Sequence, residues 1–256
     1  MIDDRPLRVL MCGLLALLLA PAGRVLAVDG VIEINQARAD KGGVTSGDMP
    51  GLPITISTGT SSNEPMSFRL TGPLSTDTSS NVIEILSPYV TVDLNGFMIT
   101  CLLPLCSGAA ISSGQDGITV MNGTVRGFAR GVDLTGGSGS RIENMRAYGN
   151  TLGLRAGSDC IVRNNIANNN GDDGIAAANG CTVVGNTAFG NMGDGISAGP
   201  RSNVIGNTAR SNTGFGLNLN AEAAYSQNSI NNNTAGEVDS GVPTGLNLCN
   251  GSTTCP

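Results

Sequence analysis

The chain contains no histidine and no tryptophan, and its only lysine is Lys41. Aromatic residues amount to 3%. These shortages exclude much. Without histidine there is no Ser-His-Asp triad and no histidine ligand for zinc, and no Cys-x-x-Cys spacing stands in for one. A chain with so few large side chains is poorly suited to a compact single core. The balance of 14 basic against 20 acidic residues, net −6, argues against nucleic acid or an anionic membrane surface as partner. The longest apolar run, Leu10 to Ala20, is too short to span a bilayer. Phosphate loops are missing as well: Gly137-Ser138-Gly139 lacks the strand–turn–helix setting that gives such glycines a meaning.

What the chain does have is asparagine and glycine at a fixed step. Asn144, Asn165, Asn186, Asn207 and Asn228 are each 21 residues apart. Gly153, Gly174, Gly195 and Gly216 keep the same step, and so do Asn170, Asn191, Asn212 and Asn233. Such a period means one short unit stacked on itself. Helical repeats need roughly 33 residues or more, and leucine-rich repeats need more leucine. The apolar runs Ile161-Val162, Val183-Val184 and Val204-Ile205 are short, β-branched and bounded by Asn, Gly and Asp, which reads as strands between turns. Two or three such strands form one coil of a parallel β-helix, with about 4.8 Å between coils. The predicted fold class is therefore all-β. Asparagine tolerates the left-handed backbone of sharp turns, and stacked amides can bond to their neighbours above and below. Ala167, Ala188 and Ala209 suit a narrow interior. With looser spacing the ladder extends upstream, giving Asn95, Asn122, Asn144, Asn165, Asn186, Asn207 and Asn228, and about seven coils.

Residues 1–27 read as a secretory signal: Arg5 and Arg8, the apolar stretch, then Val25-Leu26-Ala27 before the cut. The protein is expected to be secreted or periplasmic. Residues 28–80, with an amphipathic segment Val31 to Ala39, are expected to cap one end of the coils. The β-helix itself occupies 81–235, and 236–256 folds over the other end, since open strand edges invite aggregation. Six cysteines follow the leader, an even number that suits disulfides in an exported chain. Cys101–Cys106 and Cys249–Cys255 would close small local loops. Cys160 and Cys181, 21 apart, stack on adjacent coils either as a disulfide or as buried free thiols.

The segments CTVVGNTAFGNMGDGI (181–196) and SNVIGNTARSNTGFGL (202–217) resemble right-handed parallel β-helix repeats. The head DGVIEINQARA (29–39), the segment VTVDLNGF (90–97) and the tail NLCNGSTTCP (247–256) resemble secreted bacterial β-helix proteins of unassigned function. The resemblance implies the right-handed fold and no particular activity, because that fold hosts lyases, hydrolases, epimerases, adhesins and inert scaffolds.

Two constellations are candidates for chemistry. Gly171-Asp172-Asp173-Gly174-Ile175 resembles the Gly-Asp-Asp segment of polygalacturonase-type glycoside hydrolases, which implies paired carboxylates as general acid and base. Asp194 should stack on Asp173, where two carboxylates would raise one pKa or bind calcium. The Asn-Thr-Asp, Gly-His-Gly and Arg-x-Lys segments of those hydrolases are missing, and Asp-Gly-Ile recurs at 116–118, 173–175 and 194–196 as ordinary turn chemistry. The second constellation is arginine: Arg126, Arg130, Arg141, Arg146, Arg155 and Arg163 fall within one stretch. Of these, Arg141, Arg146, Arg155 and Arg163 are the candidates to pair with the carboxylates of an acidic polysaccharide. Without tryptophan, and with Tyr148, Tyr225, Phe128, Phe189 and Phe215 scattered, stacking of sugars on rings is not expected. Two functions remain in competition. One is an exported structural or glycan-binding scaffold with no cofactor. The other is a lyase or hydrolase of anionic polysaccharide using the arginines with Asp172, Asp173 and Asp194, calcium being the one ion such a site would call for.

Overall fold

The computed structural model describes residues 30–45, 47–57 and 66–255. The secretory signal expected at 1–27 lies outside the described residues. The rest is a parallel β-helix of triangular section. Each coil of the regular part supplies three short strands, for example Ile161–Arg163, Ile166–Asn168 and Ile175–Ala177. Each strand pairs in parallel with its counterpart 21 residues on, at Thr182–Val184, Thr187–Phe189 and Ile196–Ala198. We number the three faces in that order. The third face is a sheet of nine strands, running from Ile54–Ile56 to Gly236–Asp239, so the described residues form nine coils rather than seven. Both additional coils lie at the N-terminal end: Val31–Ile34 and Ile54–Ile56 belong to one, Met66–Leu70, Leu74–Thr76 and Ile83–Ile85 to the other, and each pairs in parallel with the coil that follows. At the C-terminal end, in the segment expected as a cap, Val242–Pro243 and Leu248–Cys249 add one more strand to each of the first two faces.

Alternation within each three-residue strand decides the core. Val162, Val183 and Val204 point inward from the first face, Ala167, Ala188 and Ala209 from the second, and Ile175 and Ile196 from the third; all are fully buried. Towards the N-terminus the same positions hold larger groups. The second-face file reads Leu74, Ile99, Val125, Ala147, Ala167, so the interior narrows along the axis.

The corners carry the polar order. At the first corner a residue with left-handed backbone precedes a buried asparagine: Asn164 (φ 56°) before Asn165, Gly185 (φ 67°) before Asn186. The side-chain oxygen of Asn186 accepts from both the backbone N–H (2.9 Å) and the side-chain amide (3.0 Å) of Asn165, while its own amide donates to Asn207 (3.0 Å) and to the Val162 carbonyl (2.8 Å). The pattern repeats through Asn207 and Asn228 to Asn247. A second ladder climbs the second corner through Asn150, Asn170, Asn191, Asn212 and Asn233. It ends on the Glu237 carboxylate, 2.7 Å from the Asn233 amide. The periodic glycines belong to this second ladder. A Cβ on Gly174 would lie 2.6 Å from the Asn191 amide nitrogen, and one on Gly195 would lie 2.6 Å from that of Asn212. The third corner uses sulfur and hydroxyl instead: the N–H of Cys160 donates to Cys181 Sγ, and that of Cys181 to Ser202 Oγ.

The upstream ladder needs correcting. Asn144 pairs in phase with Asn164, because the coil between them is 20 residues long; the inward partner of Asn165 is Met145, whose N–H it accepts. Asn95, Asn122 and Asn144 are the left-handed residues of their corners, with φ of 50°, 60° and 53°. Asn144 and Asn122 form an exposed chain of their own, Asn144 donating to Asn122 and Asn122 to Asp93. Inside that corner stand Leu94, Gly123 and Met145.

All three cysteine pairs are bonded: Cys101–Cys106, Cys160–Cys181 and Cys249–Cys255. The segment Val31 to Ala39 is a strand, Val31–Ile34, followed by a short helix, Gln36–Lys41. Side chains of this region cover open strand edges. Gln36 Oε1 accepts from the Ser75 N–H, and the Asp48 carboxylate accepts from those of Val44 and Thr55.

Replacing Asn186 with leucine strands the Asn165 N–H and the Val162 carbonyl in a buried corner, at a cost of about 1–3 kcal/mol. Replacing exposed Asn164 with glycine, the residue its file carries one coil later, is expected to be nearly neutral. Thermal or chemical unfolding of the two variants compares them directly; equal stabilities would contradict the ladder.

Candidate functional site

The aspartates lie where the second corner turns into the third face. Asp173 and Asp194 do stack. Asp173 Oδ1 accepts from the Asp194 N–H (2.7 Å), Asp194 Oδ1 accepts from the Phe215 N–H (2.6 Å), and Asp194 Oδ2 accepts from the Asn218 amide (2.6 Å). Each carboxylate thus holds the turn of the next coil, while Asp172 is exposed beside them. Burial pushes the Asp173 carboxyl up to about 6, the charges of Asp194 and Asp172 add to the rise, and the hydrogen bond from Asp194 opposes it. Among the described residues no three Asp, Glu or Cys side chains gather into a set able to hold a metal ion.

The four candidate arginines do not share a face. Arg141 and Arg163 stand on the first face on either side of Glu143, at 3.9 and 2.7 Å. Arg146 lies on the second face, in register with Thr124 and Ile166. Arg155 lies on the third, between Asp133 and Ala176. The cause is geometric: residues five to fourteen apart in a coil of about 21 turn one or two corners. The aspartates and the arginines therefore form no single catalytic cluster.

The second face gathers a different set. One outward column reads Thr100, Arg126, Tyr148, Asn168, Phe189, Arg210 and Asn231 on successive coils. The Arg126 guanidinium lies 5.6 Å from the Tyr148 ring centre, and that of Arg210 lies 4.7 Å from the Phe189 ring. Arg146 stands in the neighbouring column, with Met98, Thr124, Ile166, Thr187, Thr208 and Ser229. Neither column contains a carboxylate. Arg126, Arg146 and Arg210 have no acidic partner among the described residues, whereas first-face Arg69, Arg141 and Arg163 pair with Asp93 or Glu143. A protein of net charge −6 thus carries one face on which every charge is positive and unneutralised. From Arg126 to Arg210 is four coil steps, about 19 Å, and the two rings are two steps, about 10 Å, apart.

Grooves flank this face on both sides. One, of about 320 Å³, is lined by Gly96, Asn122, Gly123, Thr124, Asn144 and Arg146. The other, of about 450 Å³, lies along the second corner between the Cys101–Cys106 loop and Met192. The expectation of scattered aromatics holds for Phe128 and Tyr225, which are buried. It fails for Tyr148 and Phe189. Asn168, Phe189, Arg210 and Asn231 are themselves 21 apart, so the arithmetic that located the asparagine ladder also locates this column.

A family model described as "Right handed beta helix region" matches residues 98–205. The fold is a right-handed parallel β-helix. Among solved structures, the A-module of the mannuronan C-5 epimerase AlgE4 from Azotobacter vinelandii is similar at 15% identity and a TM-score of 0.56, over 87% of this chain and 68% of that module. The A-module of AlgE6 from the same organism is similar at 13% identity and a TM-score of 0.50, over 69% of this chain. This chain spans 60% of the AlgE6 module. Likeness at this identity is likeness of fold. No curated protein matches the sequence. Among the described residues no helix is long and apolar enough to cross a membrane.

Because the Asp173 pKa is raised on folding, the folded state holds its proton more tightly than the unfolded chain. That contribution to stability is present at low pH and is lost as pH rises from about 4 to about 6. Asp173→Asn keeps the acceptor oxygen and removes the charge. It should therefore stabilise the protein at pH 7.5 by about 1 kcal/mol, discounted from the full shift because the group is only partly buried, and have little effect at pH 4. Melting temperatures at the two pH values check this; an equal change at both would contradict it.

Proposed function

We propose that this protein is an exported, glycan-binding β-helix whose second face holds an acidic polysaccharide along the coil axis. The observation that carries the reading is the column Arg126–Tyr148–Asn168–Phe189–Arg210 with Arg146 beside it, carboxylate-free on an otherwise acidic molecule. Arginine forks pair with sugar carboxylates, and the rings, each with a guanidinium over one face, offer their remaining apolar surface to pyranose C–H groups between them. Strands hydrogen-bonded on both sides keep these groups at fixed spacing, so little entropy is lost when an extended ligand settles. Export is supported by the leader-like residues 1–27 and by three cysteine pairs.

A second reading, a lyase or hydrolase of the same polymers, rests on Asp173. A carboxyl raised to about 6 at the corner next to this face is suited to proton transfer near neutral pH. The binding reading is preferred because the carboxylates of Asp173 and Asp194 are engaged in holding turns.

Titration calorimetry against a polyuronate and a neutral glucan tests the proposal. Binding is expected for the polyuronate alone and should weaken with salt. Arg126→Ala with Arg210→Ala should cost tenfold or more in affinity, about 1.4 kcal/mol or above, and Tyr148→Ala with Phe189→Ala a similar amount. Arg141→Ala with Arg163→Ala on the first face should change little. Equal losses from both arginine pairs would contradict the assignment to the second face. New absorbance from unsaturated uronate during the titration would favour the lyase.

A further inference from the structure

The groove along the second corner is unlike the face it borders. Its lining holds no charged side chain: Pro104, Leu105 and Met192 form apolar walls, and Thr151, Asn169 and Gly190 lie among the polar and backbone surface between them. Leu105 is 47% exposed and Met192 71%, so both present apolar surface to whatever enters. The wall formed by the loop is held in place. Cys101 and Cys106 close it covalently, the Leu102 N–H donates to the Thr76 carbonyl, and the Cys106 N–H to the Gly127 carbonyl.

The floor is a file of left-handed residues, Gly149 (φ 63°), Asn169 (φ 51°) and Gly190 (φ 67°). Two of the three carry no side chain, and the Asn169 side chain lies toward Gly190, its Oδ1 2.5 Å from where a Cβ would stand there. The third, Asn169, is exposed, and its side-chain amide makes no hydrogen bond within the described residues, unlike the ladder amides of Asn150 and Asn170 beside it. These floor residues directly follow Tyr148, Asn168 and Phe189 in the chain. A sugar stacked on the column therefore turns its edge, and any substituent on that edge, over the groove.

The chemistry of the groove selects that substituent. A carboxylate would find no cation there. A bare hydroxyl would leave the apolar walls in water. A small group with both a methyl and a carbonyl oxygen satisfies walls and floor together. We propose that the groove receives an acetylated sugar unit of the chain lying on the second face, its methyl against the apolar wall at Met192, one coil from Asn169, and its carbonyl oxygen accepting from the Asn169 amide. This rests on the reading of the second face as a glycan surface. It adds that acetylation of the polymer, by an ester or an amide linkage, sets the preference of the protein.

The test uses the full disulfide-bonded protein and two pairs of polymers. The first pair is an O-acetylated polyuronate and the same material after alkaline de-O-acetylation. The second is an N-acetylated glycosaminoglycan and its N-deacetylated, N-formylated counterpart, which differs by the methyl alone. The acetylated member of at least one pair should bind more tightly, by about tenfold or more in the first pair, which differs by a methyl and a hydrogen bond, or by about fourfold in the second, which differs by the methyl alone. The pair that shows the preference identifies the linkage. Leu105→Ser with Met192→Ser should bring the ratio of the second pair close to one and lower that of the first. Asn169→Gly should lower the ratio of the first pair and leave unchanged that of the second, whose members both keep the carbonyl. Asn169→Gly copies the glycines above and below it, and the other two positions are exposed, so the fold is retained; melting temperatures verify this. Equal wild-type affinity within both pairs, an N-acyl preference that survives Leu105→Ser with Met192→Ser, or an O-acetyl preference untouched by Asn169→Gly overturns the acetyl site while leaving the glycan surface standing. Failure to bind any of the four polymers overturns both.

Discussion

The corner asparagine is the element on which the rest depends. Its side chain points inward, where no water reaches, and every polar atom on it must be matched by protein. One coil forward and one coil back supply the matches: the oxygen of Asn186 accepts twice from Asn165, and its amide donates to Asn207 and to Val162. A slip of one residue would leave all of these groups buried without partners. The ladders therefore do more than add hydrogen bonds. They fix register, and fixed register is what converts a repeating sequence into straight columns on the outside. The periodic glycines serve the same end, because a Cβ at Gly153, Gly174 or Gly195 would collide with an amide of the next coil.

The proposed function rests on that straightness. Tyr148 and Phe189 are 41 residues apart in sequence yet stand two coils apart on one face, because each intervening coil returns the chain to the same place. The unpaired arginines are meaningful by contrast with the first face, where Glu143 lies between Arg141 and Arg163 and Asp93 meets Arg69. Surface arginines paired in this way are solvated structure worth little energetically. Arg126 and Arg210 instead lie over aromatic rings and have no ion-pair partner among the described residues, which is what the proposed binding of an external anion requires.

Much of this was legible in the sequence, and the failures have clear causes. The 21-residue step gave the coil, its strands and the inward alanines, because hydrogen-bonded stacking tolerates no drift in phase. It missed the phase change upstream of Asn164, where one coil is a residue shorter; Asn144 has the right residue type and the wrong role. It undercounted coils because Met66–Leu70 and Leu74–Thr76 carry none of the asparagine pattern; the corner between them is Thr71-Gly72-Pro73. Grouping arginines by nearness in sequence failed for Arg141, Arg146, Arg155 and Arg163, since in a solenoid nearness in sequence means a different face. Asp173 and Asp194 were correctly stacked, but whether a stacked aspartate binds a ligand or caps a turn depends on which backbone N–H it meets. The groove at the second corner had no signature at all, because it arises from a loop of one coil overhanging the corners of later ones.

The central claim is that buried amide ladders hold the register on which the outer columns depend. Hydrogen exchange of the asparagine side-chain amides, followed by NMR on labelled protein, tests it most directly. The amides of Asn165, Asn170, Asn186, Asn191, Asn207 and Asn212 should exchange only with global unfolding, orders of magnitude more slowly than those of exposed Asn164 and Asn169. Exchange of the ladder amides at the rate of the exposed ones would contradict the account.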